Sequence, residues 1–373
     1  MFGTTRKKGT AALAACALIA GGAVAGCGTN DDGDGGGGGD SGGSKSGKIA
    51  LLLPESKTAR YESQDRPNFE KKVKELCADC EIIYSNADQD AAKQQQQADA
   101  ALTKGAKVMV LDPVDAASAG GIVAKAKQKD VPVVSYDRLI TKADVDYYIS
   151  FDNEQVGRLQ AETLSKKLAD DGAKAGPITM INGAPTDSNA ALFKKGAEGV
   201  FKKQGVKIGK SYDTPDWSPD KAQQEMEQAI TGLGKGGFKG VYAANDGTAG
   251  GAIAAMKSAG IKPAERPTTG QDAELAGIQR ILAGEQYMTV YKAIKPEAAK
   301  AAEIAVALVQ GKKPTGVEDS VNNDQKDVPS VLLTPVAVTK DNIADTVIKD
   351  GFWKASQVCT KQYAAACKEA GIE

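Results

Sequence analysis

The sequence predicts an α/β protein in two halves of similar build, each a parallel sheet with helices on both faces. Three observations carry this prediction. From residue 48 onward apolar runs of strand length alternate with longer amphipathic stretches, and the alternation restarts after residue 151. At 373 residues the chain is longer than one core usually serves. Polar residues also gather at the carboxyl end of one predicted strand after another, the edge at which open α/β sheets bind ligands.

In chain order, "RKK" at 6–8 precedes a small, apolar stretch from Thr10 to Val24. This stretch is too short and too rich in Ala and Gly for a membrane span, and it has the shape of a secretory signal. It ends in "VAGC" (24–27), which resembles a bacterial lipobox, in which cleavage leaves Cys27 as the lipid-modified first residue. The alternative is an ordinary signal peptide with an incidental cysteine. We therefore expect a lipoprotein signal peptide over 1–26 and a lipid-anchored linker rich in Gly, Asp and Ser over 27–47. The linker has no apolar residue to build a core and reaches roughly 25 Å as a random coil. Attachment is then to the outer face of the bacterial cytoplasmic membrane, through the lipid alone.

The first half follows with strands "KIALLLP" (48–54), "EIIYSNA" (81–87), "VMVLDPV" (108–114) and "VPVVSYDR" (131–138). Between them lie helical stretches at 68–76, 89–105 and 116–130, and the "QQQQ" run at 94–97 reads as a solvated helix face. After "DYYISFDN" (146–153) the second half runs through "PITMING" (177–183), "VKIGKSYD" (206–213), "GVYAAND" (240–246) and "RPTTGQD" (266–272). Asp112, Asp137, Arg138, Asn153, Asn182, Asn245, Asp246 and Asp272 stand at or just past the ends of these strands. Charges that close a buried strand are costly unless paired, so Asp137 and Arg138 are expected to face a ligand cleft. For Asp112 and Asp246 the competing reading is a helix cap.

Composition removes several function classes. Lys plus Arg (47) nearly cancels Asp plus Glu (48) with no basic stripe, which argues against nucleic acid. The histidine count is zero, which removes Ser-His and Cys-His nucleophile pairs and imidazole zinc sites. No G-x-G-x-x-G follows the first strand and no G-x-x-x-x-G-K-[ST] occurs, so dinucleotides and nucleoside triphosphates lack their phosphate cradle. No cofactor and no metal are expected. Asp, Asn, Arg and Lys beside Tyr61, Tyr136 and Trp217 suit a neutral polyhydroxylated molecule: the polar groups exchange hydrogen bonds with hydroxyls and the flat rings cover apolar sugar faces. Cys77, Cys80, Cys359 and Cys367 remain outside the cytoplasm, where disulfides are expected. Cys77–Cys80 with Cys359–Cys367 is one of three pairings, and a reactive "CADC" is the alternative.

Five segments carry a resemblance: "YDRLITKADVDYYISFDNEQVGRLQA" (136–161), "GAPTDSNAALFKKGA" (183–197), "YAANDGTAGGAIAAM" (242–256), "GQDAELAGIQRILAGEQYMTVYK" (270–292) and "KDVPSVLLTPVAVTKDNIADTVIKDGF" (326–352). In that order, across 48–352, the chain resembles the D-xylose-binding proteins of bacterial ABC transporters; residues 353–373 fall outside the likeness. The resemblance implies a type I periplasmic-binding-protein fold, two Rossmann-like lobes joined by a three-segment hinge. The lobes are expected over 48–151 plus 293–330 and over 152–292 plus 331–373. It implies a sugar site of Arg60, Asp137 and Arg138 from the first lobe, Asp187, Asn189, Trp217, Asn245 and Asp272 from the second, and Lys292 at a crossing. Tyr61 joins them as a departure, since the family pattern has Trp beside that arginine. Asp112, Asn153, Asn182 and Asp246 then return to structural roles.

The implied function is a monomeric, extracytoplasmic component that captures a monosaccharide, D-xylose above all, and delivers it to an ABC permease. The alternative is a broader binder of glucose, galactose, arabinose or ribose with a sensory role. An enzyme using Asp137 or Asp272 as base is disfavoured, because glycoside hydrolysis needs two carboxyls flanking a bond and here the carboxylates are interleaved with Arg and Asn. A transcriptional regulator of this fold needs an N-terminal helix-turn-helix where this chain has a signal and a Gly-rich leash.

Overall fold

The computed structural model describes residues 46–372. The expected signal peptide, Cys27 and all but the end of the linker lie outside them. Among the described residues no helix is long and apolar enough to cross a membrane.

The first lobe is built on β1 (Lys48–Leu53), α1 (Arg66–Leu76), β2 (Glu81–Asn86), α2 (Ala91–Thr103), β3 (Ala106–Leu111), α3 (Gly120–Lys127), β4 (Val133–Tyr136) and β5 (Tyr147–Phe151). The second begins with α4 (Asn153–Asp170), β6 (Ile178–Asn182), α5 (Ser188–Gln204), β7 (Ile208–Asp213), α6 (Pro219–Leu233), β8 (Gly240–Ala243), α7 (Asp246–Ser258), α8 (Leu275–Leu282) and β9 (Met288–Tyr291). The chain then returns to the first lobe as α9 (Ile294–Val309), β10 (Asp319–Asn322) and β11 (Asp327–Leu333). It ends in the second with β12 (Val336–Thr339), α10 (Ala355–Val358) and α11 (Ala364–Glu369).

The strands of the first sheet lie in the order β10-β11-β5-β4-β3-β1-β2, parallel except for the β10–β11 hairpin. Its strands are apolar on both sides because both faces are covered: one core joins Leu52, Met109 and Val133 to Ile122, and the other joins Leu51, Val110 and Val134 to Phe69 and Ala302. In the second lobe β7-β6-β8 is likewise parallel, while β9 and β12 form an antiparallel pair.

Three sequence expectations need correction. Residues 266–272 are not a regular strand: they make one bridge, Val241 to Thr268, and join β8 to β9 through Thr269 N to Val241 O (3.0 Å) and Val290 N to Gly270 O (3.0 Å). Strand geometry fails because the segment turns at Asp272 (φ 87°) and Ala273 (φ 48°). The boundary expected at 330 cuts a strand, since β11 pairs with β5 as far as Leu333 with Phe151. Finally, the "QQQQ" run is solvated only in part: Gln96 is exposed, while its neighbours turn inward. Gln94 is buried, donates to Asp112 O (2.8 Å) and accepts from Val114 N (2.9 Å), and Gln97 donates to Asn86 O (2.7 Å). Both glutamines satisfy backbone groups left unpaired where the strands end. The cysteines join Cys77 to Cys80 and Cys359 to Cys367.

Candidate functional site

The carboxyl ends of both parallel sheets face one narrow cavity. All ten residues expected in a sugar site line it: Arg60, Tyr61, Asp137 and Arg138 from the first lobe, Asp187, Asn189, Trp217, Asn245 and Asp272 from the second, and Lys292 at the crossing into α9. Thr58, Phe193 and Gln271 line it as well and were not expected. Phe193 stands one helical turn after Asn189 on α5, a spacing that places both on one face. Gln271 sits beside Asp272.

Local backbone puts the charges there. Asp137, directly after β4, has φ 54°, a left-handed conformation that Asp tolerates better than most residues. Its carboxylate thereby leaves the strand and accepts from Lys292 Nζ at 2.9 Å and Arg60 Nη1 at 3.2 Å. Burial works against that charge, but Arg60 and Lys292 outweigh it and hold the carboxyl below the usual carboxylate range. Burial likewise opposes the ammonium of Lys292, and Asp137 more than compensates. Arg60 is clamped from behind by Asp65 (Nε 3.0 Å, Nη2 2.7 Å) and by Glu297 of α9 (2.9 Å). Each buried cation thus meets a carboxylate, the condition under which such charges are tolerable.

Arg138 ties the lobes together. Its Nε lies 2.9 Å from Asp187 Oδ2 across the cleft and 3.5 Å from Asp112 Oδ1 in its own lobe, while Nη1 donates to Pro113 O and Nη2 to the Tyr61 hydroxyl, both at 3.2 Å. Asp187 caps α5 by accepting from Asn189 N (2.8 Å), and it also accepts from Trp217 Nε1 (3.0 Å). The Trp217 ring meets the edge of Phe193 at 6.4 Å. Asn189 donates to Asp137 O (3.0 Å), and Asn245 caps α7 through Thr248 N (2.8 Å). Burial pushes the carboxyls of Asp187 and Asp272 up. Gln271 donates to Asp272 Oδ1 (3.1 Å), and its own buried carbonyl oxygen has no partner.

The residues assigned structural roles do not line the cavity. Asp246 accepts from Glu274 N (2.9 Å), Gln286 Nε2 (2.6 Å) and Thr289 Oγ1 (3.0 Å), pinning the 268–274 segment to β9, and burial pushes its carboxyl up to about 7. Asn182 joins β6 to β7 through Tyr212 O (2.7 Å), and Asn153 supports Asn189 (2.9 Å). Asp112 stands behind Arg138, fully buried.

The lobes also touch outside the charged cluster: Ala116 N donates to Thr186 O (3.0 Å), Leu139 N to Ser188 Oγ (2.9 Å) and Ala59 N to Glu274 Oε1 (3.2 Å). The arrangement is that of a closed clamp.

Residues 49–313 match the periplasmic binding protein domain. Over 319 residues the chain is 40% identical to the D-xylose-binding periplasmic protein of Escherichia coli, covering 84% of this chain and 93% of that protein. It is 32% identical over 329 residues to the multiple sugar-binding periplasmic receptor ChvE of Rhizobium radiobacter, covering 84% and 92%. Among solved structures, an ABC transporter solute binding protein from Clostridium phytofermentans with bound β-D-glucose superposes with a TM-score of 0.76 at 30% identity, covering 83% of this chain and 99% of that one.

Proposed function

The chain belongs to the periplasmic binding protein family, and from that premise we propose that it captures a monosaccharide, D-xylose above all, between its lobes and delivers it to an ABC permease. One observation supports this most directly. The cavity is lined by buried Asp, Asn, Gln, Arg and Lys with Tyr61, Phe193 and Trp217, a set of hydrogen-bonding groups and flat faces fitted to a small polyol.

Each lobe supplies part of the partners, so sugar bridging both favours the closed form by differential affinity. The cleft carboxylates are engaged by Arg60, Arg138, Lys292 and Trp217, which suits holding a ligand and not cleaving one. The permease then reads closure from surfaces on both lobes, with the protein acting as a monomer. The lobe boundaries consistent with the sheets are 48–151 plus 293–333 and 152–292 plus 334–373, set by β11.

A pyranose form of D-xylose carries hydrogen where glucose carries its C5 hydroxymethyl group, so glucose is rejected only if that space is filled. Arg60, clamped by Asp65 and Glu297, and Trp217, held by Asp187, are rigid walls suited to do so. Calorimetry on the purified protein is expected to give micromolar or tighter D-xylose binding, with glucose weaker by at least about tenfold, or 1.4 kcal/mol. Equal or tighter glucose binding selects the broader monosaccharide binder with a sensory role, which the replacement of Trp by Tyr61 favours. Absence of binding to either sugar removes the assignment.

Anchoring is part of the same proposal: lipid on Cys27 holds the protein at the outer face of the cytoplasmic membrane. Cys27→Ser is expected to release or mislocalise it, with sugar affinity unchanged. Membrane retention of that variant, with its signal cleaved elsewhere, overturns the lipid anchor.

A further inference from the structure

We propose that the segment from Phe352 to Ile372 is a positioning element for sugar binding: Trp353 fixes the turn that presents Asp272, and the Phe352 carbonyl ties the segment to the opposite lobe through Gln64. The proposal rests on the sugar-binding reading above. It concerns a part of the chain that the sequence likeness reaches only at Phe352.

The turn at Asp272 and Ala273 holds two consecutive residues at positive φ, 87° and 48°. Alanine has no side-chain compensation for that conformation, so the turn persists only if its surroundings fix it. The N–H groups of Asp272, Ala273 and Glu274 are held by Val290 O (2.9 Å), Thr289 Oγ1 (3.2 Å) and Asp246 Oδ2 (2.9 Å), and Trp353 completes the fixing by donating from Nε1 to the remaining Ala273 O at 2.8 Å. Next to it, Phe352 meets Tyr291 edge-on (5.1 Å between ring centres) and Trp353 at 5.5 Å. Tyr291 is the residue before Lys292. The same aromatic pair thus packs against the backbone next to two cavity residues, Asp272 and Lys292.

The segment is itself held firmly. Val358, Cys367 and Ile372 are buried among Ile278, Leu282 and Val347, and the Cys359–Cys367 disulfide closes the loop between them. Gln279 of α8 donates to Val358 O (3.3 Å). Across the cleft, Gln64 Nε2 donates to Phe352 O at 3.2 Å. Gln64 stands four residues beyond Arg60 in the turn that leads into α1, so the segment meets the first lobe beside the sugar site. That contact exists between lobes and is available to the closed form.

Loss of either hydrogen bond is thus expected to shorten the lifetime of the closed, sugar-bound state without slowing encounter. Trp353→Phe keeps the aromatic packing and removes the N–H. It also leaves Trp217 as the sole tryptophan of a chain that has two, so fluorescence then reports the cavity directly. Gln64→Leu keeps bulk and removes the donor. In stopped-flow with D-xylose each variant should release sugar about 3- to 10-fold faster, the effect of one hydrogen bond, at an unchanged on-rate; without sugar the melting temperature should be unchanged in Gln64→Leu, whose contact lies between lobes, and modestly lowered in Trp353→Phe, whose contact lies within one. Removing the staple, with Cys359→Ser and Cys367→Ser together, should change the off-rate in the same direction. Release rates equal to those of the parent in Trp353→Phe and Gln64→Leu overturn the proposal, as does a lowered melting temperature with parental sugar kinetics. Failure of the parent protein to bind any monosaccharide overturns the sugar reading, and this proposal with it.

Discussion

Arg138→Ala is expected to lower sugar affinity by about a hundredfold or more, because it leaves two buried carboxylates without their cation, a change that costs about 3–5 kcal/mol. Asp187 Oδ2 and Asp112 Oδ1 lie 2.9 and 3.5 Å from the guanidinium Nε, and burial already pushes both carboxyls up. The two acids belong to different lobes. Without the arginine, closing the clamp brings together groups that repel or must take up protons, so the loss falls on closure as well as on folding. Arg138→Lys should recover only part of the affinity. An ammonium does not span Asp187, Pro113 O and the Tyr61 hydroxyl at once, as the planar guanidinium does. Calorimetry and thermal unfolding of both variants measure the two parts separately, and binding by Arg138→Ala within threefold of the parent would show that the cleft has been misplaced.

Part of this site was legible because two of its residues break a local rule, whereas Arg60, Asp187, Asn189 and Lys292 were reached only through the family resemblance. An apolar strand that closes on Asp137 and Arg138 is anomalous unless the charges leave the core, and the left-handed turn at Asp137 is how they do so. The choice between neighbours was not legible from pattern alone. Asn245 and Asp246 stand side by side, yet Asn245 lines the cavity while Asp246 turns inward to Gln286 and Thr289, 40 and 43 residues away. The supports of Arg60 divide the same way: Asp65 is close in sequence, whereas Glu297 comes from 237 residues on and carries no motif. At the level of the fold, the alternation of periods revealed the two sheets, but not that 266–272 would bridge β8 and β9 irregularly. Nor could a glutamine run disclose that Gln94 and Gln97 cap strand-end backbone, since their partners lie on other elements.

Gly183→Ala is expected to weaken sugar binding by about tenfold or more through one methyl group, an overpacking cost of about 1–3 kcal/mol. Gly183 follows β6, and a Cβ there would lie 2.0 Å from Cη2 and 2.3 Å from Cζ2 of Trp217. The indole has little room to yield. Phe193 stands against it, its Nε1 is engaged by Asp187, and its backbone is already at φ 52° after Asp216 at 59°. Non-glycine residues at such angles store strain, so the segment resists further displacement. The ring must swing toward the cavity, and Asp187, losing the indole donor, then holds Arg138 less firmly. A smaller ring relieves the collision: in the Gly183→Ala background Trp217→Phe should cost less than it does in the parent, a non-additivity that a double-mutant cycle reads directly. Parental affinity in Gly183→Ala, or strict additivity in the cycle, would mean that the indole seat is not a wall of the site.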